Sequence, residues 1–354
     1  MSEKSILVLP GDGIGPEIAR ATCDVLKAVA AVFDINLALR SMDIGFAALA
    51  DQGTTIPQSV IDAALEADGV ILGPVSHNAY PPVAEGGLNP SGTLRTALDL
   101  FANIRPARSR EGVPSPISNP VDLVIVRENL EGFYADRNLH QGPGEFMPTA
   151  DMALAIRRIT AYASRRIAER AFSIACTRPG RRVAAVHKAN VMRVSDGLFL
   201  QQVRSVAKTF PQIAYEEVLV DAAAALLVRD PARFDVIVTT NMFGDILSDL
   251  ASELAGGLGL AASLNAGPTH AIAQAQHGSA PDLAGTDCAN PVSLIGSSAM
   301  LLDHLGYSEA ASAIDEACDE ALLHADSRTR DLGGSMGTSA FARHLVETIK
   351  QKYS

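Results

Sequence analysis

The feature that most constrains the fold is an alternation of short apolar runs with segments of helical period. Residues 5–9 form a β-branched and leucine run, followed by a glycine loop and by apolar residues of helical spacing through Ala31. A second unit combines helical spacing at 61–65 with a buried-strand pattern at 69–73. Such alternation predicts an α/β protein with a helix-covered parallel or mixed sheet.

The opening glycine loop resembles a dinucleotide-binding turn only in part. It reads Gly11-Asp-Gly13-Ile-Gly15 with Pro16 next, whereas the fingerprint requires G-x-G-x-x-G. We therefore expect a tight strand-to-helix turn and not a Rossmann fold; a further role beside a cofactor stays open.

Length and composition restrict the class of protein. A chain of 354 residues exceeds the size at which one core stops growing, so two domains are expected. A net charge of -11 argues against a nucleic-acid partner. The absence of a long apolar run or an export signal predicts a cytoplasmic protein without a membrane partner. The cysteines lack CxxC spacing, which predicts buried free thiols: Cys23, Cys176, Cys288 and Cys318.

Further elements follow from local patterns. Residues 73–92 are rich in Pro, Gly, Asn and Ser and predict a long functional loop. The patterns also predict strands over 121–127, 182–187 and 234–239, and helices over 149–172, 246–254, 291–305 and 309–324.

Two aspartates four residues apart are the first candidate site. Asp245 and Asp249 would project from one face of a helix, where like charges repel unless a cation lies between them. Carboxylate oxygens suit Mg²⁺ or Mn²⁺. The alternative is a helix cap and a surface acid. Asp221, at the end of an apolar strand over 217–220, is a candidate third ligand.

Arginines are the candidate anion-binding residues. Arg127 follows a buried strand and therefore requires a fixed anion. Either Glu128 or Glu131 satisfies it, or it binds a substrate carboxylate. The basic clusters at 105–110, 157–170 and 178–182 are expected to be mostly solvated helix faces and loops.

Proton-transfer candidates are fewer. Lys188 ends a buried strand, where desolvation would lower its pKa toward that of a base, although a solvated lysine is the plainer interpretation. Tyr134 is a candidate general acid or a packing residue. The turn-rich loop over 277–290 could surround a nucleotide or merely connect helices.

Taken together, the motifs resemble the β-decarboxylating dehydrogenase family, which includes isocitrate, homoisocitrate, 3-isopropylmalate and tartrate dehydrogenases. The resemblance runs in order from residue 5 to about 345. It rests on Leu9-Pro-Gly-Asp-Gly-Ile-Gly-Pro-Glu17, Asn103-Ile-Arg-Pro106, Val126-Arg-Glu-Asn129, His187-Lys-Ala-Asn190, the stretch 241–249 and the stretch 277–282.

The resemblance implies a two-domain isocitrate/isopropylmalate dehydrogenase-like fold and a homodimer with shared active sites between the domains. A large cofactor-binding domain would span 1–100 and 253–354, and a small domain with the dimer interface would span 101–252. Carboxylates of the substrate would bind Arg95, Arg105 and Arg127.

The resemblance also implies the chemistry. Asp245 and Asp249 would bind Mg²⁺ or Mn²⁺ together with Asp221 of the partner subunit. Lys188 and Asn190 would likewise come from the partner, with Lys188 assisting removal of the hydroxyl proton. Tyr134 would return a proton to carbon after loss of CO₂.

The resemblance implies NAD as cofactor, because a carboxylate at Asp282 accepts ribose hydroxyls and repels a 2′-phosphate. NADP-using members carry Lys then Tyr where this chain has Asp282-Leu283. The cofactor-binding residues would be His277, Gly278, Ser279, Ala280, Asp282, Leu283 and Asn290.

The substituent on malate carbon 3 would be read by the segment before Arg95, where Asn89 and Ser91 indicate a polar group. An isocitrate-like or homoisocitrate-like (R)-malate is therefore the expected substrate. The alternatives are 3-isopropylmalate and tartrate or malate, with a non-catalytic regulatory homologue as a remote alternative. Gln274-Ala-Gln276 replaces a segment that commonly begins with Glu, which indicates a specialised substrate or weak activity.

Overall fold

The computed structural model describes residues 3–134 and 144–353. Contacts divide the chain into two compact units. One combines Met1–Leu98, Arg110–Pro114 and Gly256–Ser354; the other comprises Asp99–Ser109 and Ser115–Ala255. The functions expected of the two domains stay predictions.

The first unit contains strands in the order β2-β1-β3-β12-β11. All adjacent pairs are parallel except β12 with β11, which is antiparallel. The strands are β1 (Lys4–Leu9), β2 (Leu37–Ser41), β3 (Gly69–Leu72), β11 (Leu264–Ala266) and β12 (Ala271–Gln274).

Several helices of this unit share a core, and α9 is buried on all sides over residues 292–299. Ile18, Val25 and Val29 of α1 are fully buried and pack in one cluster with residues of α9, α10 and α11. The helices are α1 (Gly15–Val32), α2 (Gly45–Gln52), α3 (Gln58–Glu66), α4 (Pro90–Ala97), α9 (Val292–His304), α10 (Ser308–Leu323) and α11 (Thr338–Tyr353).

The second unit contains strands in the order β4-β5-β10-β8-β9. β4 and β5 are antiparallel, whereas the other pairs are parallel. The strands are β4 (Ala102–Arg108), β5 (Asp122–Glu128), β8 (Arg182–His187), β9 (Ala214–Leu219) and β10 (Val236–Thr239). The helices are α5 (Ala161–Thr177), α6 (Ser195–Ala207), α7 (Val220–Arg229) and α8 (Asn241–Ala255). The predicted α/β fold with a helix-covered mixed sheet is confirmed.

The helix predicted over 149–172 is wrong in its first half. Residues Glu145–Thr149 and Met152–Ala155 form the antiparallel hairpin β6/β7. The helix begins at Ala161 because the side chain of Thr160 accepts a hydrogen bond from the Ala163 amide and caps it. The prediction failed because the exposed apolar residues of the hairpin imitate an amphipathic period.

The glycine loop makes the tight turn that the sequence predicts. Gly13 has φ +58°, and a Cβ there would lie 2.0 Å from the Ser279 carbonyl oxygen. The next amide, Ile14 N–H, donates to that same oxygen at 2.8 Å. The loop therefore packs directly on the candidate cofactor segment, and a side chain at Gly13 would separate them.

The described residues also bear on membrane-spanning helices and on the cysteines. No helix among them is long and apolar enough to span a membrane. The four cysteines are free, but only Cys318 is buried, so the expectation of buried thiols is wrong for Cys23, Cys176 and Cys288.

Candidate functional site

Two arginines and two aspartates form a compact cluster in the second unit. Arg105 lies on β4 and Arg127 on the adjacent β5, both with side chains less than a tenth exposed. Asp245 and Asp249 lie one turn apart on α8, and Arg105 Nη1 is 3.3 Å and 3.2 Å from their respective Oδ1 atoms. Asp245 also pairs with Arg127. The two carboxylates therefore share one helix face, as predicted.

Arg127 is also held by Asn241, to which the sequence analysis gave no role. Its Nε and Nη2 donate to Asn241 Oδ1 at 3.0 and 2.6 Å, so neither Glu128 nor Glu131 is its partner. Gly244 makes room for this arrangement, because a Cβ there would lie 2.7 Å from the Arg127 side chain. Both arginines are thus fixed before any ligand binds.

The cluster is electrostatically prepared for an anion. Burial, followed by repulsion from Arg127, lowers the pKa of Arg105 to about 10, while Asp245 and Asp249 act in the opposite direction. Arg105 stays charged near neutral pH, and an additional carboxylate would relieve the repulsion between the two guanidinium groups.

Lys188 and Asp221 form a second, separate pair of the same unit. Lys188 Nζ lies 2.5 Å from Asp221 Oδ1, and the Asp221 side chain is 65% exposed. The hydrogen bond from Lys188 lowers the pKa of Asp221. Asp221 lies in the first turn of α7 and not at a strand end as predicted. Asn190 is exposed nearby in sequence.

The acids have the chemistry of a hard-cation site, but one copy of the chain does not assemble it. Over 3–134 and 144–353, no group of three His, Cys, Asp or Glu side chains is placed to hold a metal. Asp245 and Asp249 supply two hard oxygen ligands on one face, and the exposed Asp221 is available to a neighbour. This donor set fits Mg²⁺ or Mn²⁺.

A buried ion pair accepts a hydrogen bond from the backbone of Lys188. Arg157 Nη1 is 2.6 Å from Asp196 Oδ1, with side-chain exposures of 9% and 0%. The other oxygen of Asp196 accepts the Lys188 amide at 2.6 Å. The Arg157 guanidinium also lies 5.7 Å from the rings of Phe133 and Phe243, the neighbours in sequence of Tyr134 and Gly244. The expectation of solvated basic clusters is therefore wrong for Arg157.

We expect Asp196→Asn to lower the free energy of unfolding by about 3–5 kcal/mol, because Arg157 would keep its charge in a buried place without a carboxylate. Asp122→Asn is the matched control: Asp122 pairs with Arg178 but is 60% exposed, so its loss should cost less than about 1 kcal/mol. Urea unfolding of both variants measures the difference. Equal effects would show that the Arg157–Asp196 pair does not stabilise the fold.

Tyr134 follows a turn that a buried acid holds in place. Glu128 accepts the amides of Leu130 at 3.0 Å and Glu131 at 2.8 Å, and Gly132 pairs with Arg158 in an isolated bridge. Tyr134 is half-buried. Burial raises the pKa of Glu128 to about 7 despite the two amide donors.

This raised pKa predicts a pH-dependent stability. The charged form of Glu128 is disfavoured in the folded state relative to its ordinary pKa of 4.5, so its contribution falls as pH rises from about 4.5 to about 7. Glu128→Gln should therefore gain stability relative to the wild type across that window. Urea titrations from pH 4.5 to 8 test this, with the exposed Glu309→Gln as control; parallel curves for Glu128→Gln and wild type would refute it.

The candidate substrate residues of the first unit lie on α4. Asn89 caps this helix by accepting the Gly92 amide at 3.1 Å. Ser91 Oγ and Arg95 Nη2, one turn apart, both donate to Gln274 Oε1 at 3.2 Å. The predicted loop thus ends at Pro90, where α4 begins, and Ser91 and Arg95 face the same partner.

The candidate cofactor loop is partly anchored and partly exposed. Ser279 is buried and its Oγ lies 2.7 Å from Ser76 Oγ, and Asn290 donates to Asp331 at 2.9 Å. Ala280 has φ +37°, a strained conformation for a non-glycine residue. Gly278, Asp282 and Leu283 are exposed. Ser279 and Asn290 therefore hold the loop in place, while its exposed residues are accessible to a ligand.

His277 is the least satisfied residue of this loop. Its Nε2 is buried without a hydrogen-bond partner among the described residues, and burial lowers the pKa of the ring. A buried donor or acceptor of this kind favours a bound polar partner. The segment therefore fits a nucleotide.

Sequence patterns did not identify the residues that hold the candidate site residues in position. Asn241, Asp196 and Arg157 had no distinguishing local signal, except that Asn241 and Asp196 each lie at the start of a helix that follows a buried strand. Gln274 stood out only as an unusual residue, not as the acceptor for α4.

Comparison with known proteins identifies the family. Residues 5–349 match the isocitrate/isopropylmalate dehydrogenase family. The chain is 43% identical over 347 residues to the isocitrate/homoisocitrate dehydrogenase of Thermus thermophilus, covering 98% of each chain. It is 40% identical over 346 residues to the 3-isopropylmalate dehydrogenase of Archaeoglobus fulgidus, covering 98% of this chain and 99% of the relative. The crystal structure of isocitrate dehydrogenase from Methylococcus capsulatus superimposes with a TM-score of 0.89 at 39% identity, covering 98% of this chain and 100% of that one.

The protein is a decarboxylating oxidoreductase of the dehydrogenase class. It belongs to the isocitrate/isopropylmalate dehydrogenase family, and the resemblance inferred from its motifs is confirmed.

Proposed function

We propose that the enzyme oxidises and decarboxylates a 3-substituted (R)-malate, isocitrate or homoisocitrate, with NAD and a divalent metal. The observation that carries the proposal is the cluster of Arg105, Arg127, Asp245 and Asp249. It combines buried cations that recognise carboxylates with paired carboxylates that recognise a cation.

Substrate carboxylates are assigned to Arg105, Arg127 and Arg95. Two buried guanidinium groups on adjacent strands favour substrate carboxylates, because both carry positive charge in a place that is shielded from water. Their partners already fix their orientation, so little side-chain freedom is lost on binding. Asn190 is assigned to the same substrate from the partner subunit.

Asp245 and Asp249, with Asp221 of the partner subunit, are assigned to Mg²⁺ or Mn²⁺. When bound, such an ion supplies Lewis-acid stabilisation of negative charge on a substrate oxygen. Asp245 pairs with both Arg105 and Arg127. The proposed metal site and the proposed carboxylate-binding site therefore share this residue.

NAD is assigned to the loop of His277, Gly278, Ser279, Ala280, Asp282, Leu283 and Asn290. When bound, NAD accepts the hydride from the substrate. The exposed Asp282 carboxylate would accept ribose hydroxyls and repel a 2′-phosphate, and the buried Nε2 of His277 supplies an unused polar contact.

Proton transfer is assigned to Lys188 and Tyr134. Lys188 of the partner subunit, in its neutral amine form, assists removal of the hydroxyl proton by accepting it, and the contact with Asp221 holds its side-chain nitrogen beside the third metal ligand. Tyr134 returns a proton to the carbon that has lost CO₂.

Within the described part of one chain, Asp221 does not form a group of three metal ligands with Asp245 and Asp249. This supports a homodimer, in which Asp221 of the partner subunit completes the set.

The hairpin β6/β7 bears exposed apolar side chains, including Phe146 paired with Leu154 across the strands. A lone hairpin is marginal in water, so a second copy is the expected cover. Val194, near Lys188 in sequence, is 88% exposed, and Ile246, adjacent to Asp245, is 59% exposed. Exposed apolar side chains therefore lie near both the Lys188–Asp221 pair and the Asp245–Asp249 pair.

The test is a panel of isocitrate, homoisocitrate, 3-isopropylmalate, tartrate and malate, each with NAD or NADP and with Mn²⁺ or Mg²⁺. NADH absorbance is the measurement. We expect turnover of a tricarboxylic compound with NAD. No turnover on the panel would end the substrate assignment, and faster reduction of NADP would end the assignment of Asp282.

The second candidate is 3-isopropylmalate oxidation. The relative from Archaeoglobus fulgidus favours it, because that protein bears this name at 40% identity over nearly its whole length. Faster turnover of 3-isopropylmalate than of isocitrate and homoisocitrate would decide for it.

A further inference from the structure

One buried guanidinium group contacts the starts of two helices in the second unit. Arg157 Nη1 lies 2.6 Å from Asp196 Oδ1 and donates to Ser195 Oγ at 2.8 Å; both residues lie in the first turn of α6. Its Nη2 donates to Thr240 Oγ1 at 3.1 Å, and Thr240 directly precedes α8. The two nitrogens of Arg157 therefore connect α6 with α8.

The contact with α6 controls the backbone around Lys188. Asp196 Oδ2 accepts the Lys188 amide at 2.6 Å. The Lys188 carbonyl accepts the Met192 amide at 2.9 Å, and the Met192 carbonyl accepts the Asp196 amide at 3.0 Å. A shift of the Asp196 carboxylate would therefore move the turn that presents the Lys188 side chain.

The contact with α8 controls the start of the helix that bears Asp245. The Thr240 carbonyl accepts the Gly244 amide at 2.9 Å in the first turn. Asn241, the next residue, holds Arg127 with its side-chain oxygen. The hydroxyl of Thr240 is thus tied to Arg157 at the point from which the proposed carboxylate and metal ligands project.

Aromatic contacts bring the Tyr134 segment into the same network. The guanidinium lies 5.7 Å from the ring centres of Phe133 and Phe243, a distance at which a cation is attracted to an aromatic ring. Phe133 immediately precedes Tyr134. Gly132 and Arg158, the residues beside Phe133 and Arg157, exchange backbone hydrogen bonds of 2.8 and 2.9 Å.

We propose that Arg157 is a positioning residue for two catalytic centres at once. In the proposed dimer, Lys188 acts in the centre of the partner subunit, whereas Asp245 and Tyr134 act in the centre of their own chain. Arg157 holds the former through α6 and the latter through α8 and the aromatic rings. This inference rests on the proposed function and adds that one guanidinium group sets the geometry of both centres.

The experiment uses a mixed dimer with a single working centre. One copy carries Asp245→Asn and the other carries Lys188→Ala, with different affinity tags so that the mixed dimer can be isolated. Its working centre takes Lys188 from the first copy, and α8 and Tyr134 from the second. Turnover is measured with NAD, Mn²⁺ and the best substrate of the panel.

Arg157→Lys is then added to one copy or to the other. Lysine keeps the charge beside Asp196, but its single nitrogen cannot replace the planar group that holds three partners in fixed directions. We expect kcat to fall about tenfold in either placement, because small misplacements of catalytic groups have large effects on rate.

Variants that remove one contact separate the two roles and disturb the fold less. Ser195→Ala should lower kcat about fivefold, the effect of one ordinary hydrogen bond, only in the copy that supplies Lys188. Thr240→Val should do so only in the copy that supplies α8. A merely structural role would not produce this dependence on the copy that is changed.

Arg165→Lys is the matched control. Arg165 is an exposed residue of α5 whose Nε and Nη2 donate to Gln202 at 3.3 and 3.1 Å, so the same substitution should leave kcat unchanged in both placements. Thermal melting shows whether each mixed dimer is folded at the assay temperature.

The possible failures differ from one another. A reference mixed dimer without turnover would overturn the shared centre of the proposed function, and with it this inference. A working reference dimer whose kcat is unchanged by Arg157→Lys in either copy would overturn the role of Arg157 alone. Equal losses in both placements for Ser195→Ala and for Thr240→Val would also overturn it.

Discussion

Lys188→Ala is expected to lower kcat by about 10²- to 10⁴-fold, the range of a lost general acid–base group. Lys188 makes its ion pair at the surface, with a side chain 26% exposed and a partner 65% exposed. Its removal should therefore leave folding intact, since exposed pairs contribute little. The loss should appear in kcat at saturating substrate, measured by NADH formation.

The matched control is Lys352→Ala. Lys352 forms a comparable surface pair with Glu316 at 2.7 Å and lies on α11, outside the candidate site. Its rate should equal that of the wild type. If Lys188→Ala retained a near-native rate with the same melting temperature, Lys188 would have no part in proton transfer.

Asp245→Asn is expected to raise the Mn²⁺ concentration needed for half-maximal rate by at least about 100-fold. Loss of outer-shell contacts to a metal already costs roughly 10- to 100-fold in affinity, and the change here removes a proposed ligand. Asp245 also pairs with Arg127, which is 3% exposed, so a lower melting temperature should accompany the loss.

Metal binding can be followed without turnover. Calorimetric titration of Mn²⁺ into the protein should show weaker binding for Asp245→Asn and unchanged binding for Glu253→Gln, which removes one charge from the same helix α8. Undiminished Mn²⁺ affinity in Asp245→Asn would exclude Asp245 as a ligand and leave it as a partner of the arginines.

Periodic patterns predicted the elements that depend on local sequence. The strand over 182–187 agrees with the structure, and the spacing of Asp245 and Asp249 correctly placed both carboxylates on one helix face. These features require only neighbours along the chain, so composition and period are sufficient to find them.

Partners that are distant in sequence were beyond such reasoning. Arg127 is satisfied by Asn241 and Asp245, more than a hundred residues away, and the nearby acids Glu128 and Glu131 have other partners. Arg157 appeared to belong to a solvated cluster because its partner Asp196 lies far along the chain, at the start of α6. The hairpin at 145–155 was misread because its apolar residues are exposed rather than buried.

The division of acids between two clusters in one chain has a genetic consequence under the shared-site proposal. A copy damaged at Lys188 would disable the catalytic centre of its neighbour while its own centre, completed by an intact neighbour, keeps working. In a mixed population, defective and normal copies would therefore interfere with one another, and two differently defective copies could together restore one working centre.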